Sequence, residues 1–134
     1  MGSTREPLGG ALALAALLIV GAATLKLYER GQPLPTEGIA WLLTTDWVHV
    51  PAHLLLYGAL TAYCARAFGG RGGPTVLAVT IVALAQEGCQ SLLFGRAPGW
   101  AEAFDLGVDA LAVVVTLRLY RALWLGPRAW RVLQ

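Results

Sequence analysis

The residues of this chain that could do chemistry are seven polar side chains set at one end of three apolar segments. They are Asp46, His49 and His53, then Glu87 and Gln90, then Asp105 and Asp109. Histidine and carboxylate side chains can act as general acids and bases, carry protons or bind metal ions. Because ionisable groups at membrane depth are costly, they mark functional sites by default. The sequence therefore predicts one polar site to which three segments contribute.

Helical spacing places the members of each group on one face of their segment. Residues three or four positions apart are neighbours on a helix surface. Those intervals separate Asp46, His49, His53 and Tyr57 in the first group, Glu87 and Gln90 in the second, and Asp105 and Asp109 in the third. Arg96 follows the second group closely enough to fold over the same mouth.

The composition indicates that lipid is the solvent of the elements that carry these groups. The chain has 134 residues, of which 57% are hydrophobic and 13% charged, and its mean hydropathy is +0.61. An ordinary soluble domain has about 25% charged residues. The formal charge is +2, and no basic stretch interleaved with aromatic residues indicates a nucleic-acid partner. We expect membrane lipids as partners, and no nucleic acid.

Four apolar runs are long enough to cross a bilayer, which takes about 20 residues per helix. The predicted fold is therefore all-α, a single integral membrane bundle of four transmembrane helices. The first run could also be a signal peptide, but it is longer than a usual signal core and is interpreted as a retained span. The predicted spans are 8–27, 47–67, 75–94 and 105–124, with a partly interfacial outer loop at 29–45 and a basic cytoplasmic tail at 126–134.

The distribution of basic residues predicts the orientation of this bundle in the plasma membrane. With four spans, both termini lie on one side. That side would carry seven of the ten cations, namely Arg5, Arg66, Arg71, Arg118, Arg121, Arg128 and Arg131. The positive-inside rule then places both termini in the cytoplasm, so the polar site faces outward. The apolar outer faces also leave room for a homo-oligomer.

The two cysteines are predicted to be free thiols. Cys64 lies near the inner end of the second span, and Cys89 lies in the outer half of the third. That difference in depth exceeds the Cα separation that a disulfide allows.

Three elements of the polar pattern, in order, resemble the VanZ-like family of small membrane proteins, named for a teicoplanin-resistance protein. The elements are His53 with Tyr57, Glu87 and Gln90 with Arg96 six residues later, and Asp105 with Asp109. The resemblance covers about residues 46–112. It departs from the family pattern at three points: His49 stands where the family has Asp, Asp109 where it has Asn, and the gap from Arg96 to Asp105 is about three residues longer.

The resemblance implies a role at the cell envelope, with glycopeptide tolerance as one such role, and it implies no established reaction. From this implied role and from the polar residues we predict a pocket that binds or acts on an envelope lipid or lipid-linked precursor. The predicted catalytic residues are His53, Glu87 and Asp109, with His53 and Glu87 as an acid/base pair. Arg96 would hold an anionic group. The other predicted substrate-binding residues are His49, Tyr57, Gln90 and Asp105.

Other interpretations of the same residues stay open at this point. The two histidines, four positions apart and near carboxylates, could hold a divalent metal ion, although we assign no metal and no cofactor. The cluster could serve a small transporter or proton relay, or lock four helices together in a structural subunit. Asp105 could be a helix N-cap, and Gln90 an interhelical hydrogen bond.

Overall fold

The computed structural model describes residues 5–31, 46–95 and 99–125, and all regular structure within these ranges is helical. The helices are α1 (Arg5–Gly31), α2 (Asp46–Ala67), α3 (Gly72–Phe94) and α4 (Trp100–Tyr120), and a π-helical turn over Arg121–Leu125 continues α4. The predicted all-α class and the number of helices are confirmed.

A tight glycine turn joins α2 to α3, where the sequence has its strongest helix-breaking cluster. Gly69 and Gly70 have φ angles of 62° and 80°, a region that favours glycine because it has no Cβ. The N–H of Gly70 donates to the carbonyl of Ala65 at 2.7 Å, which closes the end of α2. Because the connection is so short, α3 runs back alongside α2.

The start of α4 differs from the prediction. The helix begins at Trp100, five residues before the predicted start at Asp105, so Asp105 lies inside the helix and the N-cap interpretation is wrong. The N-cap is Gly99, whose N–H donates to the Glu102 carboxylate at 2.7 Å. A glutamate three residues after the cap satisfies one of the free N–H groups at a helix start.

Helix α1 is also longer than its predicted span of 8–27. It reaches Gly31, so residues 29–31 are helical and do not belong to the predicted outer loop. The remainder of that loop and the predicted basic tail at 126–134 lie outside the described residues.

Helix α2 is the centre of the bundle and packs against the other three helices, most extensively against α4. Tyr57 and Leu60 of α2 are fully buried, as is Val79 of α3. Small residues allow close approach: a Cβ added at Gly10 of α1 would lie 2.7 Å from the ring of Tyr63. Gly58 of α2 faces Thr116 of α4, where an added Cβ would lie 3.2 Å from the hydroxyl oxygen.

The outer surface of the bundle is strongly apolar. Large hydrophobic side chains are exposed on every helix, among them Leu17, Leu55, Leu77, Leu92 and Leu123, each more than 60% exposed. Two stretches, Val48–Ala67 and Gly72–Leu93, are long and apolar enough to cross a membrane, and α1 contains a shorter apolar stretch at Pro7–Ala22. These features suggest a membrane protein.

Both cysteines are free, as predicted, with Cys64 buried and Cys89 partly buried.

Candidate functional site

Two histidine–carboxylate contacts join α2 to α4 in a regular register. His49 contacts Asp105 and His53 contacts Asp109, and each pair is separated by 56 positions in the sequence. Equal separation at two successive turns means that α2 and α4 run in the same direction. The predicted groups on these two segments therefore meet at one level of the bundle.

The inner contact, between His53 and Asp109, is short and buried. Nδ1 of His53 lies 2.7 Å from Oδ1 of Asp109, and the two residues are 8% and 2% exposed. When Asp109 is ionised its carboxylate only accepts hydrogen bonds, and the Nδ1–H group of His53 then donates. The Nε2 atom of a neutral His53 ring is then left as an acceptor. Asp109 thus fixes both the orientation and the tautomer of His53.

The outer contact, between His49 and Asp105, is longer and more accessible. Nε2 of His49 lies 3.2 Å from Oδ1 of Asp105, and the side chains are 35% and 18% exposed. The rings of His49 and His53 lie 4.5 Å apart, and the ring of Tyr57 stacks on His53 at 5.7 Å. One face of α2 therefore presents three neighbouring rings, of which His53 and Tyr57 are stacked, graded from partly exposed to fully buried.

Helix α3 closes the site through a hydrogen-bonded chain that includes a residue absent from the sequence prediction. The hydroxyl of Tyr57 donates to Oε1 of Gln86 at 3.1 Å, and Nε2 of Gln86 donates to Oε1 of Glu87 at 3.4 Å. Gln86 is 3% exposed. Its position four residues before Gln90, within an apolar helix, was the signal that could have identified it.

The site contains buried oxygen atoms that have no hydrogen-bond partner among the described residues. They are Oε2 of Glu87, Oδ2 of Asp109 and Oγ of Ser91. Buried polar atoms in native proteins are nearly always hydrogen-bonded to protein, water or a ligand. These atoms are therefore the positions at which a ligand or water would be bound.

The cluster carries more carboxylates than cations. Glu87 interacts electrostatically with His53, and also with Asp105, Asp109 and Glu102. Among the residues whose side chains the structure describes, no lysine or arginine forms an ion pair with Glu87, Asp105 or Asp109. Even with both histidines protonated, the three carboxylates of Glu87, Asp105 and Asp109 leave an excess of negative charge unless a proton or a cation neutralises it.

The structure brings together six of the eight predicted site residues: His49, His53, Tyr57, Glu87, Asp105 and Asp109. Within this set His53 hydrogen-bonds Asp109, whereas Glu87 hydrogen-bonds Gln86 and interacts electrostatically with His53. Gln90 is half-buried on α3 one turn from Gln86. Arg96 and the side chain of Asp46 lie outside the described residues.

An apolar groove of about 190 Å³ lies on the surface of the bundle between α3 and α4, beside this cluster. Among the described residues, Asp109 is its only acidic lining residue, and that side chain is nearly fully buried. The other lining residues are Val79, Thr80, Ala83, Leu84, Leu106, Ala110 and Val113. The groove therefore places an apolar surface next to the buried carboxylate.

The comparisons with known proteins give no family assignment. No protein-family model, no curated protein and no solved structure matches this chain.

The two histidine–carboxylate contacts should differ in their contribution to stability. In a double-mutant cycle with His53→Leu and Asp109→Leu, we expect a coupling of about 2 kcal/mol or more, because each single change leaves a buried polar partner unpaired. The matched cycle with His49→Leu and Asp105→Leu should give below about 1 kcal/mol, as for exposed pairs. The measurement is the free energy of unfolding in detergent micelles. Equal coupling in the two cycles would contradict the assigned difference in burial.

Proposed function

We propose that the chain is a four-span protein of the plasma membrane with both termini in the cytoplasm. Each of the four helices has at least 21 residues, and a helix of about 20 residues crosses a bilayer core of about 30 Å. Helices α2 and α4 run in the same direction, and α3, which connects them along the chain, runs back in the opposite direction. This arrangement fits alternate crossings of the membrane. The concentration of arginines on the side of the termini supports the orientation.

Cysteine labelling tests this topology. In a Cys64→Ala, Cys89→Ala background, Trp100→Cys at the exposed start of α4 should react in intact cells with a membrane-impermeant maleimide. Arg71→Cys, in the turn between α2 and α3, should react only after the membrane is permeabilised. Both positions are exposed in the fold. The reverse pattern would contradict the orientation, and labelling of both from outside would contradict a crossing by α3.

The proposed function is to bind or act on an envelope lipid or a lipid-linked precursor in an outward-facing pocket. The observation that carries this proposal is a buried pair, His53 with Asp109, beside buried carboxylate oxygens that have no hydrogen-bond partner in the described part of the chain. Burying such groups inside apolar helices is energetically costly, and for that reason they mark functional sites by default. The groove between α3 and α4 supports a ligand that has an apolar chain, because that chain can stay in lipid while its polar end reaches Asp109.

The pocket residues suggest how such a ligand would be handled. His53, held by Asp109, is placed to give or take a proton, and Glu87 offers a second carboxylate on the opposite wall. His49 and Asp105 form the more accessible rim of the site. Arg96 would add the positive charge for an anionic headgroup. The likeness to the VanZ-like pattern rests on the same residues, and glycopeptide tolerance is the envelope role that it brings to the proposal.

A structural role for the cluster is the second candidate, and the contacts between α2 and α4 favour it. His53 and His49 each tie the two helices together, so the pairs could exist only to fix their register. The two candidates differ at Glu87, whose Oε2 atom contributes to no such tie among the described residues.

The substitution Glu87→Gln separates these two functions. It keeps the size of the side chain and its place beside Gln86 but removes the carboxylate. We expect retention of co-purified lipid, and any glycopeptide tolerance that the protein confers, to fall by about tenfold or more, the effect of about 1.4 kcal/mol. The thermal unfolding temperature should change by only a few degrees.

The matched control is Thr61→Val, a near-isosteric change of a buried polar residue that bonds only the backbone of Tyr57. It should preserve lipid retention and tolerance. Large loss of stability in Glu87→Gln without a specific loss of ligand would favour the structural role. Unchanged lipid retention and unchanged tolerance in Glu87→Gln would contradict the pocket.

A further inference from the structure

His49, His53 and Asp105 together provide the donor set of a transition-metal centre. One ligand atom from each of His49, His53 and Asp105 can be chosen so that all three lie within 4.8 Å of one another. These are the only two histidines in the chain. Two imidazoles with one carboxylate suit zinc and neighbouring divalent ions, whereas magnesium and calcium prefer oxygen ligands alone.

The distances fit an ion of that size. Ligand atoms about 2.0–2.1 Å from a tetrahedral zinc ion lie about 3.3 Å from each other. Nε2 of His49 and Oδ1 of Asp105 are 3.2 Å apart. All three ligand atoms lie within 4.8 Å of one another, so the widest separation exceeds the tetrahedral value by at most about 1.5 Å. Binding an ion would require the side chains to close that difference by rotation about their χ angles.

The hydrogen bond between His53 and Asp109 prepares His53 for this role. Metal-bound histidines almost always donate their other ring N–H to a carboxylate or carbonyl, which fixes the tautomer and makes the free nitrogen more basic. Asp109 accepts from Nδ1 of His53 at 2.7 Å and leaves Nε2 for an ion. Asp109 is 2% exposed, and its second oxygen has no partner among the described residues. That burial makes it a built support and not a surface carboxylate.

The charge of the cluster gives a second reason for a cation. Among the described residues, the carboxylates of Glu87, Asp105 and Asp109 outnumber the two imidazoles, and Asp105 interacts unfavourably with both Glu87 and Asp109. A divalent ion bound by His49, His53 and Asp105 would offset the negative charge of the cluster. It would also offer an open coordination position to an oxygen of the incoming ligand.

We propose that His49, His53 and Asp105 bind one divalent transition-metal ion of the zinc class, with Asp109 as the positioning residue for His53. The proposal of metal binding rests only on the geometry of His49, His53 and Asp105. The further step, in which the ion receives an oxygen of the lipid headgroup, rests on the function proposed above.

The test uses the full chain purified in mild detergent with a tag that contains no histidine. The protein is stripped with a chelator and titrated with Zn²⁺, and bound metal is measured by elemental analysis and X-ray absorption. We expect one ion per chain with nitrogen and oxygen ligands and no sulfur. Binding should persist in the Cys64→Ala, Cys89→Ala double variant, which excludes the thiols as ligands.

Substitutions of His49, His53 and Asp109 should weaken metal binding to different degrees. We expect His49→Ala and His53→Ala to raise the dissociation constant by about 100-fold or more, and Asp109→Asn by about 10-fold to 100-fold, as for other groups that orient metal ligands. Thr61→Val should leave the constant unchanged. Circular dichroism and size-exclusion profiles like those of the unchanged protein identify the variants whose fold is intact.

Other results would overturn the metal site. Binding of far less than one ion per chain or ligation by sulfur would do so. So would an affinity in folded His49→Ala and His53→Ala equal to that of the unchanged protein. Lipid retention is measured on the same samples. Loss of the metal site with Glu87-dependent lipid retention intact would leave the proposed function standing, whereas stoichiometric metal without any lipid retention would contradict that function alone.

Discussion

The burial of His53 against Asp109 is the interaction on which the arrangement of α2, α3 and α4 depends. Both side chains lie among apolar helices, where an unpaired ionisable group would be costly. Their hydrogen bond therefore fixes how α2 and α4 rotate about their axes and slide along each other. The same register places His49 beside Asp105 one turn away, and it leaves α3 to face the pair with Gln86 and Glu87.

The helices were predictable from the sequence because glycine and proline mark their ends. The cluster around Gly69 and Gly70 predicts the turn that the structure shows there, and Gly95 ends α3 in the left-handed conformation typical of a helix terminus. The start of α4 was missed because Asp105 matched an expected cap. Gly99 and Glu102 supplied the actual cap, through a pattern of glycine followed by glutamate that is weaker than one led by serine or aspartate.

The membership of the site was also predictable, but its internal pairing was not. Ionisable residues at matching depth stand out in apolar segments, and six of those predicted to form the site do meet. Which of them touch depends on the neighbours of α2 and on helix rotation, and helices that are apolar on all sides give little signal about either. For that reason the hydrogen bond between His53 and Asp109 was not predicted, and Gln86, which links Tyr57 to Glu87, was missed.

The central claim is that this polar cluster is a ligand site and not only a lock between helices. A crystal structure of protein purified with its native lipid tests it most directly. The account predicts electron density that does not belong to the chain, within hydrogen-bond distance of Oε2 of Glu87 or Oδ2 of Asp109. It would be contradicted if both oxygens were bonded to side chains of the protein itself and no space remained beside them.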